Sequence, residues 1–143
     1  MSIEIKLLAS GDTAPLGSVA PGVFDRSISA SLAKEFLSDP RHHLAVAIDD
    51  TLIVGFASGV HYVHPDKAPQ MFINEVSIAP THRDRGIGKA VLNALIGKAR
   101  DLSCSEAWVL TCRENSPAMR MYASVGGREE ANTPVMFTFP LGP

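Results

Sequence analysis

Residues 83–89 read Arg83-Asp84-Arg85-Gly86-Ile87-Gly88-Lys89 and hold two glycines within three positions. Residues 71–79 before them form an apolar run typical of a strand, and from residue 86 onward apolar residues recur at helical spacing. The start of a helix presents unpaired backbone N–H groups and the positive end of its dipole. Glycines let an anion approach that backbone closely, and Arg83, Arg85 and Lys89 add positive charge. The stretch therefore predicts a cradle for a phosphate or pyrophosphate.

Two nucleotide-binding motifs fail on this stretch. A dinucleotide fingerprint needs a third glycine where Val91 stands. A P-loop needs Ser or Thr where Ala90 follows Lys89, and a glycine at position 83. Both motifs lack residues that their mechanism requires, so a pattern of the form R-x-x-G-x-G after a strand remains.

Length and composition limit the class of protein. The chain has 143 residues, is 45% hydrophobic and 20% charged, and has a mean hydropathy of +0.10. These values predict one globular domain over residues 1–143, without a membrane-spanning helix. Residues 1–6 lack the order of a signal peptide, and two cysteines are too few for a disulfide framework, so we expect a cytoplasmic protein with buried thiols.

Charge is unevenly distributed along the chain. The formal net charge of −2 argues against a nucleic-acid partner. Residues 1–81 carry a balance of −4, residues 82–100 carry +4 and residues 101–143 carry −2. A solvated helix face is the ordinary explanation of a basic run, but the two glycines inside this run favour an anion site.

The hydrophobic pattern predicts a mostly β first half followed by alternating helices and strands. We expect strands at 3–7, 44–48, 52–57 (continuing through 63), 71–79, 107–112 and 135–139, and helices at 29–37, 86–102 and 116–125. In the last helix Ser116 is the expected N-cap, with Pro117 at the first position. A strand–helix–strand unit over 71–112 predicts a parallel pair inside the sheet.

The segment from Glu75 to Gly88 resembles the acetyl-coenzyme A signature of the GNAT superfamily of N-acetyltransferases. The family pattern [Q/R]-x-x-G-x-[G/A] is matched by Arg83, Gly86 and Gly88. A second family motif is present in Asn115, Ala118 and Tyr122, followed by Gly126-Gly127 where the family has Gly-Phe. The resemblance covers the chain from about residue 43 to its end, and the first forty residues match only in layout. Length and the Val135-Met136-Phe137 ending resemble the small aminoglycoside 3-N-acetyltransferase branch.

The resemblance implies an α/β (α+β) fold with a mixed, mostly antiparallel sheet and a splayed parallel strand pair, flanked by helices. It implies acetyl-coenzyme A as co-substrate and no metal. It also implies a possible homodimer, which is common in the family. The implied cofactor-binding residues lie on the first parallel strand, in the glycine turn and before the last helix: Ser77, Ile78, Arg83, Arg85, Gly86, Ile87, Gly88, Lys89 and Asn115. Alternatively, Asn115 only stabilises the turn before Ser116.

Two residues are the implied catalytic pair. Glu75 is the candidate base that takes a proton from the acceptor amine, directly or through water. Alternatively, Glu75 pairs with a nearby arginine or is exposed at the end of the strand. Strand alternation predicts that Glu75 shares a face with Ile73 and Ser77. Tyr122 is the candidate acid for the leaving thiolate, and its alternative is packing on the sheet.

The remaining histidines and the tryptophan are interpreted as residues without a catalytic role. His61 and His64 lack a third ligand at suitable spacing, so we expect no metal site there. His42 and His43 are interpreted as surface residues, and Trp108 as a core residue or dimer contact.

Three functions remain open at this point. The first is acetylation of a small cationic amine such as an aminoglycoside, because Asp25, Asp39, Asp66 and Glu75 in the first half of the chain suit a cationic acceptor. The second is acetylation of a protein or peptide, and the third is a non-catalytic acyl-coenzyme A sensor.

Overall fold

The computed structural model describes residues 2–143 and arranges them around one mixed sheet; Met1, which the predicted domain includes, lies outside the described residues. The strands are β1 (Ile3–Leu7), β2 (His42–Asp49), β3 (Leu52–Tyr62), β4 (Gln70–Ile78) and β5 (Glu106–Val109). The helices are α1 (Ala30–Ser38), α2 (Ile87–Asp101) and α3 (Ser116–Ser124), and short 3₁₀ turns occur at Ala14–Gly17 and Pro80–His82.

The sheet has the order β1-β2-β3-β4-β5. The first four strands are antiparallel, whereas β4 and β5 are parallel and are joined through α2. The predicted fold class and the predicted parallel pair are therefore confirmed. Strands β2 and β3 form an antiparallel hairpin, with Asp50 at a φ of 61° in its tight turn.

The two faces of the sheet are covered by different elements. A Cβ at Gly55 would lie 3.3 Å from Ile87, and one at Gly59 would lie 3.3 Å from Leu95, so these glycines face α2. Phe56 faces the other way and stacks on Phe24 with ring centroids 4.2 Å apart. On that second face the Phe36 ring of α1 contacts His42. We call the two surfaces the α2 face and the α1 face.

The core lies where the central strands meet α2. Strands β2 and β3 are almost continuously buried, which matches their unbroken apolar sequence. Helix α2 turns one apolar side to them, and its buried residues are Ile87, Gly88, Val91, Leu92, Leu95 and Ala99. No helix in residues 2–143 has both the length and the apolar character needed to cross a bilayer.

One predicted strand is wrong. Residues 135–139 form no strand, and every residue from 126 to 143 is exposed. The β-propensity of Val135-Met136-Phe137 is real, but a strand needs a neighbour to accept its hydrogen bonds, and this segment has none within the described chain.

Smaller expectations also need correction. Asn115, not Ser116, is the N-cap of α3, because its side chain accepts the hydrogen bond from the backbone N–H of Ala118. Strand β5 ends at Val109 instead of residue 112, so Cys112 is exposed and not a buried thiol. His43 is buried, not superficial, since it lies inside β2.

Candidate active site

The segment 83–89, which we call the glycine turn, leads from the end of β4 into the start of α2. Asp84 and Gly86 both have a positive φ, of 60° and 76°, which turns the chain sharply into the helix. Gly86 is the N-cap of α2, and its carbonyl accepts the first helical hydrogen bond, from Ala90. A left-handed backbone favours glycine, so the conformation explains why Gly86 stands here.

The turn presents a row of free donors. Within residues 2–143, none of the backbone N–H groups from Arg83 to Lys89 donates to a protein acceptor. The side chains of Arg83, Arg85 and Lys89 are exposed, and in the described part of the chain none of them forms an ion pair. Free N–H groups at a helix start, with unpaired cations beside them, form a surface suited to an anion such as a pyrophosphate.

A histidine that sequence reasoning missed holds this turn in place. Nε2 of His82 lies 2.8 Å from Oδ2 of Asp49 at the end of β2, and both side chains are only 13% exposed. Nδ1 of His82 also lies 2.8 Å from Oγ1 of Thr81. The partners are far apart in sequence, so no local pattern reveals the contact. His82 therefore fixes the start of the turn to the sheet.

Gly88 serves a different purpose from Gly86. A Cβ at Gly88 would lie 2.6 Å from the sulfur of Met121, so its small size lets α2 and α3 approach each other closely. Ile87 and Gly88 are both buried. They offer a ligand their backbone groups, while the Ile87 side chain packs into the core.

Strands β4 and β5 separate beside the glycine turn. Their parallel pairing runs only from Gln70–Ile73 of β4 to Glu106–Val109 of β5. Beyond it, residues 74–78 of β4 have no strand on the β5 side in the described chain. Ser77 and Ile78 lie on this open stretch and are half-buried. The opening gives a ligand access to free backbone groups of β4.

A β-bulge changes the predicted orientation of Glu75. Ser58 of β3 pairs with Glu75, but its neighbour Gly59 pairs with Ile73, so Asn74 is an extra residue. Directly paired residues share a face. Glu75 therefore lies on the α1 face with Ser77, whereas Ile73 lies on the α2 face. The expectation that Ile73 and Glu75 share a face is wrong, because strand alternation fails at a bulge. Glu75 is exposed.

Tyr122 lies on α3, on the other side of the sheet from Glu75. Helix α3 packs beside the start of α2 through Met121 and Gly88. Tyr122 is half-buried against the core, and burial raises the pKa of its hydroxyl. The phenol therefore remains protonated throughout the physiological pH range and can act as a proton donor.

Asn115 is exposed at the start of α3. Its Oδ1 accepts the N–H of Ala118 at 3.2 Å, so this oxygen is committed to capping the helix. Its amide NH₂ remains available to a ligand.

An aromatic cluster, also missed by sequence reasoning, lies where β4 and β5 are still paired. Nε1 of Trp108 donates to the Tyr62 hydroxyl at 2.6 Å, and that hydroxyl donates to Gln70 at 2.9 Å. Phe72 packs against Trp108 with ring centroids 4.6 Å apart. Strand pairing places these residues on the α1 face, as it does Glu75. Aromatic faces and a carboxylate on one surface suit an organic cation.

Other candidate groups do not converge on this surface. The Asp39 carboxyl accepts a hydrogen bond from the backbone N–H of Arg41, and this bond is the main reason why the pKa of that carboxyl is lowered. His61 lies 2.7 Å from His43 on the α2 face, and His64 contacts the carbonyl of Ala68. In the part of the chain that the structure describes, no group of three or more His, Cys, Asp or Glu side chains is placed to hold a metal ion.

A separate cavity of about 810 Å³ lies between residues 11–19 and α1. Its lining includes one charged side chain, that of Lys34, and is otherwise polar-uncharged or apolar. A cationic ligand has no electrostatic reason to bind there.

Comparison with family models gives a match to the acetyltransferase (GNAT) family over residues 16–126. The chain belongs to the GNAT acetyltransferase family. The match begins well before residue 43, where the sequence motifs become recognisable, so it includes the segment that packs on the α1 face. The predicted family is therefore confirmed.

Curated relatives are also acetyltransferases. An uncharacterised N-acetyltransferase of Mycobacterium tuberculosis (strain ATCC 25618 / H37Rv) is 26% identical over 102 residues, covering 71% of this chain and 63% of the relative. A streptothricin acetyltransferase of Streptomyces lavendulae is 30% identical over 89 residues, covering 62% of this chain and 45% of the relative. This GNAT chain therefore spans less than two thirds of the length of these relatives.

Solved structures share the fold. An aminoglycoside acetyltransferase from an uncultured soil metagenomic sample, solved with trehalose, aligns with a TM-score of 0.80 at 19% identity and covers 98% of this chain and 97% of that chain. AAC(6')-Iy in complex with a bisubstrate analogue aligns with a TM-score of 0.76 at 21% identity, covering 99% and 100%. A ribosomal-protein-alanine N-acetyltransferase from Brucella melitensis biovar Abortus 2308 aligns with a TM-score of 0.68 at 21% identity, covering 96% and 100%.

Proposed function

We propose that this GNAT chain is an acetyl-coenzyme A-dependent N-acetyltransferase, formed by residues 1–143 as one cytoplasmic domain, that acetylates a primary amine of a small cationic molecule, with aminoglycosides as the first class to test. The observation that carries the proposal is the row of free N–H groups from Arg83 to Lys89 beside three unpaired cationic side chains. This arrangement suits the pyrophosphate of coenzyme A.

The residues present fit this co-substrate. The N–H groups of the glycine turn and the charges of Arg83, Arg85 and Lys89 bind its pyrophosphate. The open edge of β4 at Ser77 and Ile78 binds its extended amide-containing arm as an added strand. The amide NH₂ of Asn115 donates to the same arm. The co-substrate supplies an acetyl group activated as a thioester.

Glu75 prepares the acceptor for attack. An aliphatic ammonium has a pKa of about 10.4 and must lose a proton before its nitrogen becomes nucleophilic. Glu75 takes that proton, directly or through one water. Its exposure on the α1 face allows a substrate amine from solvent to reach the carboxylate.

Tyr122 completes the proton balance. Glu75 passes the first proton to solvent before the amine attacks the thioester. As the carbon–nitrogen bond forms and the carbon–sulfur bond breaks, Glu75 takes the second proton from the acetylated nitrogen, and Tyr122 gives its hydroxyl proton to the departing thiolate. Tyr122 then regains a proton from solvent. The base lies on the α1 face and the acid on α3, which packs on the α2 face, and the gap between β4 and β5 connects the two faces. This placement supports direct transfer without an acetylated enzyme.

The acceptor class follows from the α1 face. Glu75 supplies a negative charge, while Phe72, Tyr62 and Trp108 supply flat apolar walls. One of the structural neighbours, an aminoglycoside acetyltransferase, was solved in complex with sisomicin. A cationic sugar presents both ammonium groups and apolar ring faces, which match the two kinds of surface.

Thiol release from acetyl-coenzyme A tests the proposal. The purified chain is assayed with a panel of aminoglycosides, polyamines and simple amino acids, and with peptides carrying a free N-terminus or a lysine. We expect release with at least one small polycationic amine, together with its acetylated product. Release with peptides alone would instead favour the protein-acetyltransferase function, for which the ribosomal-protein-alanine N-acetyltransferase is a structural neighbour. Binding of coenzyme A without thiol release in the presence of any acceptor would favour the sensor function.

A further inference from the structure

Three side chains beside the glycine turn form a continuous hydrogen-bonded chain, which we call the threonine triad. Oγ1 of Thr81 lies 2.8 Å from Nδ1 of His82, and Nε2 of the same ring lies 2.8 Å from Oδ2 of Asp49. The His82 and Asp49 side chains are each 13% exposed, whereas Thr81 is an exposed residue. A ligand can therefore reach the hydroxyl, while the ring behind it is shielded from solvent.

The carboxylate of Asp49 decides how the triad is polarised. Its oxygen can only accept a hydrogen bond, so Nε2 of His82 carries a proton and donates it to Asp49. In the neutral imidazole the other ring nitrogen is then an acceptor, so the Thr81 hydroxyl donates to Nδ1. A hydroxyl that donates to a histidine, whose ring is oriented by a largely buried carboxylate, is the arrangement that activates serine or threonine as a nucleophile.

The free donors of the glycine turn begin next to this hydroxyl. Two residues of extended chain span at most about 7 Å, so Arg83 is held close to Thr81. In the described chain the backbone N–H of Arg83 has no acceptor and its guanidinium forms no ion pair. A small electrophile that carries a phosphate can thus contact both these donors and the nucleophile.

We propose that the threonine triad is a second reaction centre, which hydrolyses small acyl phosphates through an acyl ester on Thr81. Oγ1 of Thr81 attacks the carbonyl carbon, and its proton passes to Nδ1 of His82. The bond between that carbon and the phosphate oxygen breaks, and the leaving phosphate takes the proton from His82. Donors of the glycine turn stabilise the phosphate as it leaves.

A second step regenerates the hydroxyl. Water attacks the Thr81 ester while His82 takes one of its protons, and the departing Thr81 oxygen receives that proton as the carboxylic acid is released. Neither step consumes coenzyme A, so this activity stands or falls independently of the proposed acetyl transfer.

Phosphate release from acetyl phosphate by the purified chain, measured without coenzyme A, tests the proposal. We expect release above the protein-free rate, with inorganic pyrophosphate as a competitive inhibitor because it binds the same donors. Thr81→Val should abolish the enhancement, His82→Ala should lower it by about 10²–10⁴-fold, and Thr81→Ser should retain it. Thr138→Val changes an exposed threonine far along the chain and is the matched control. In water labelled with heavy oxygen, the label should enter acetate and not phosphate.

The opposite outcomes overturn the proposal. Release at the protein-free rate shows that the triad is inert. Release that persists in Thr81→Val comes from another site or from acetylation of surface lysines, and label in phosphate shows attack on phosphorus. Absence of competition by pyrophosphate contradicts the use of the glycine turn. Circular dichroism checks that every variant folds, which we expect for Thr81→Val because this residue is exposed.

Discussion

Nε2 of His82 lies 2.8 Å from Oδ2 of Asp49, and this contact joins the glycine turn to the β2–β3 hairpin. The turn can present its free N–H groups in a fixed direction because one end is held by the sheet and the other continues as α2. Preorganised donors bind an anion without a cost of ordering them.

Replacing His82 tests whether this anchoring matters. We expect His82→Ala to weaken coenzyme A binding about tenfold, in line with the roughly 1–3 kcal/mol lost when a mostly buried hydrogen bond is broken. Turnover at saturating co-substrate should remain, because Glu75 and Tyr122 are unchanged. His64→Ala removes a histidine that contacts the Ala68 carbonyl and the Tyr62 ring but not the glycine turn, and it is the control. Unchanged coenzyme A affinity in His82→Ala would show that the contact is only structural.

The proposed role of Tyr122 as the acid predicts a specific loss of turnover. Tyr122→Phe should lower kcat by about 10²–10⁴, the usual contribution of a general acid, with unchanged affinity for coenzyme A. Tyr62, the other tyrosine, provides the comparison. Tyr62→Phe breaks the bond to Gln70 on the α1 face and should raise the acceptor KM while leaving kcat nearly unchanged. Equal effects of the two substitutions on kcat would contradict the assignment.

The proposed role of Glu75 as the base predicts a loss of activity that depends on pH. Glu75→Gln should reduce kcat/KM for the amine most strongly near neutral pH, where the acceptor is an ammonium ion. The deficit should shrink as pH rises toward about 10.4, because the amine then loses its proton to solvent. Glu106→Gln, an exposed change on β5, should show neither effect. A deficit that is constant with pH would indicate that Glu75 only anchors the substrate.

The buried His43 predicts acid sensitivity of the fold. Burial, with smaller contributions from His61 and Lys98, lowers the pKa of His43 to about 4 from 6.5. Between these values the unfolded chain binds the proton that the native chain does not, so this group destabilises the fold as pH falls from 6.5 toward 4, by about 1.4 kcal/mol per pH unit. Urea unfolding at pH 7 and pH 5 should show a smaller difference in His43→Gln than in wild type. His64→Gln should behave as wild type. The same difference in unfolding free energy between pH 7 and pH 5 in all three proteins would exclude this role of His43.

Much of the architecture could be predicted from local patterns. The strand β4, the turn at Gly86 and the helix α2 follow from a change of hydrophobic period and two glycines, because these are short-range signals. The hairpin joining β2 to β3 follows from Asp49-Asp50 for the same reason.

The remaining features depend on contacts distant in sequence. The bulge at Asn74 arises from the pairing of β3 with β4, and it reverses the face of Glu75 relative to Ile73. The contact of His82 with Asp49 and the aromatic cluster at Trp108 join residues more than thirty positions apart. Residues 135–139 have the propensity of a strand without a partner in their own chain, so propensity alone predicted a strand that the structure lacks.

Calorimetric titration of coenzyme A tests the central claim that the glycine turn is the co-substrate site. The comparison uses Gly86→Ala, at a φ of 76°, and Gly11→Ala, at a φ of 90°; both glycines are exposed, and a Cβ at either would meet no atom within 4 Å. Both substitutions strain the backbone by about 1–3 kcal/mol, but only Gly86 lies among the free donors. We predict that Gly86→Ala weakens coenzyme A binding at least about tenfold while Gly11→Ala retains wild-type affinity. Equal affinities in all three proteins, or no binding to wild type, would contradict the account.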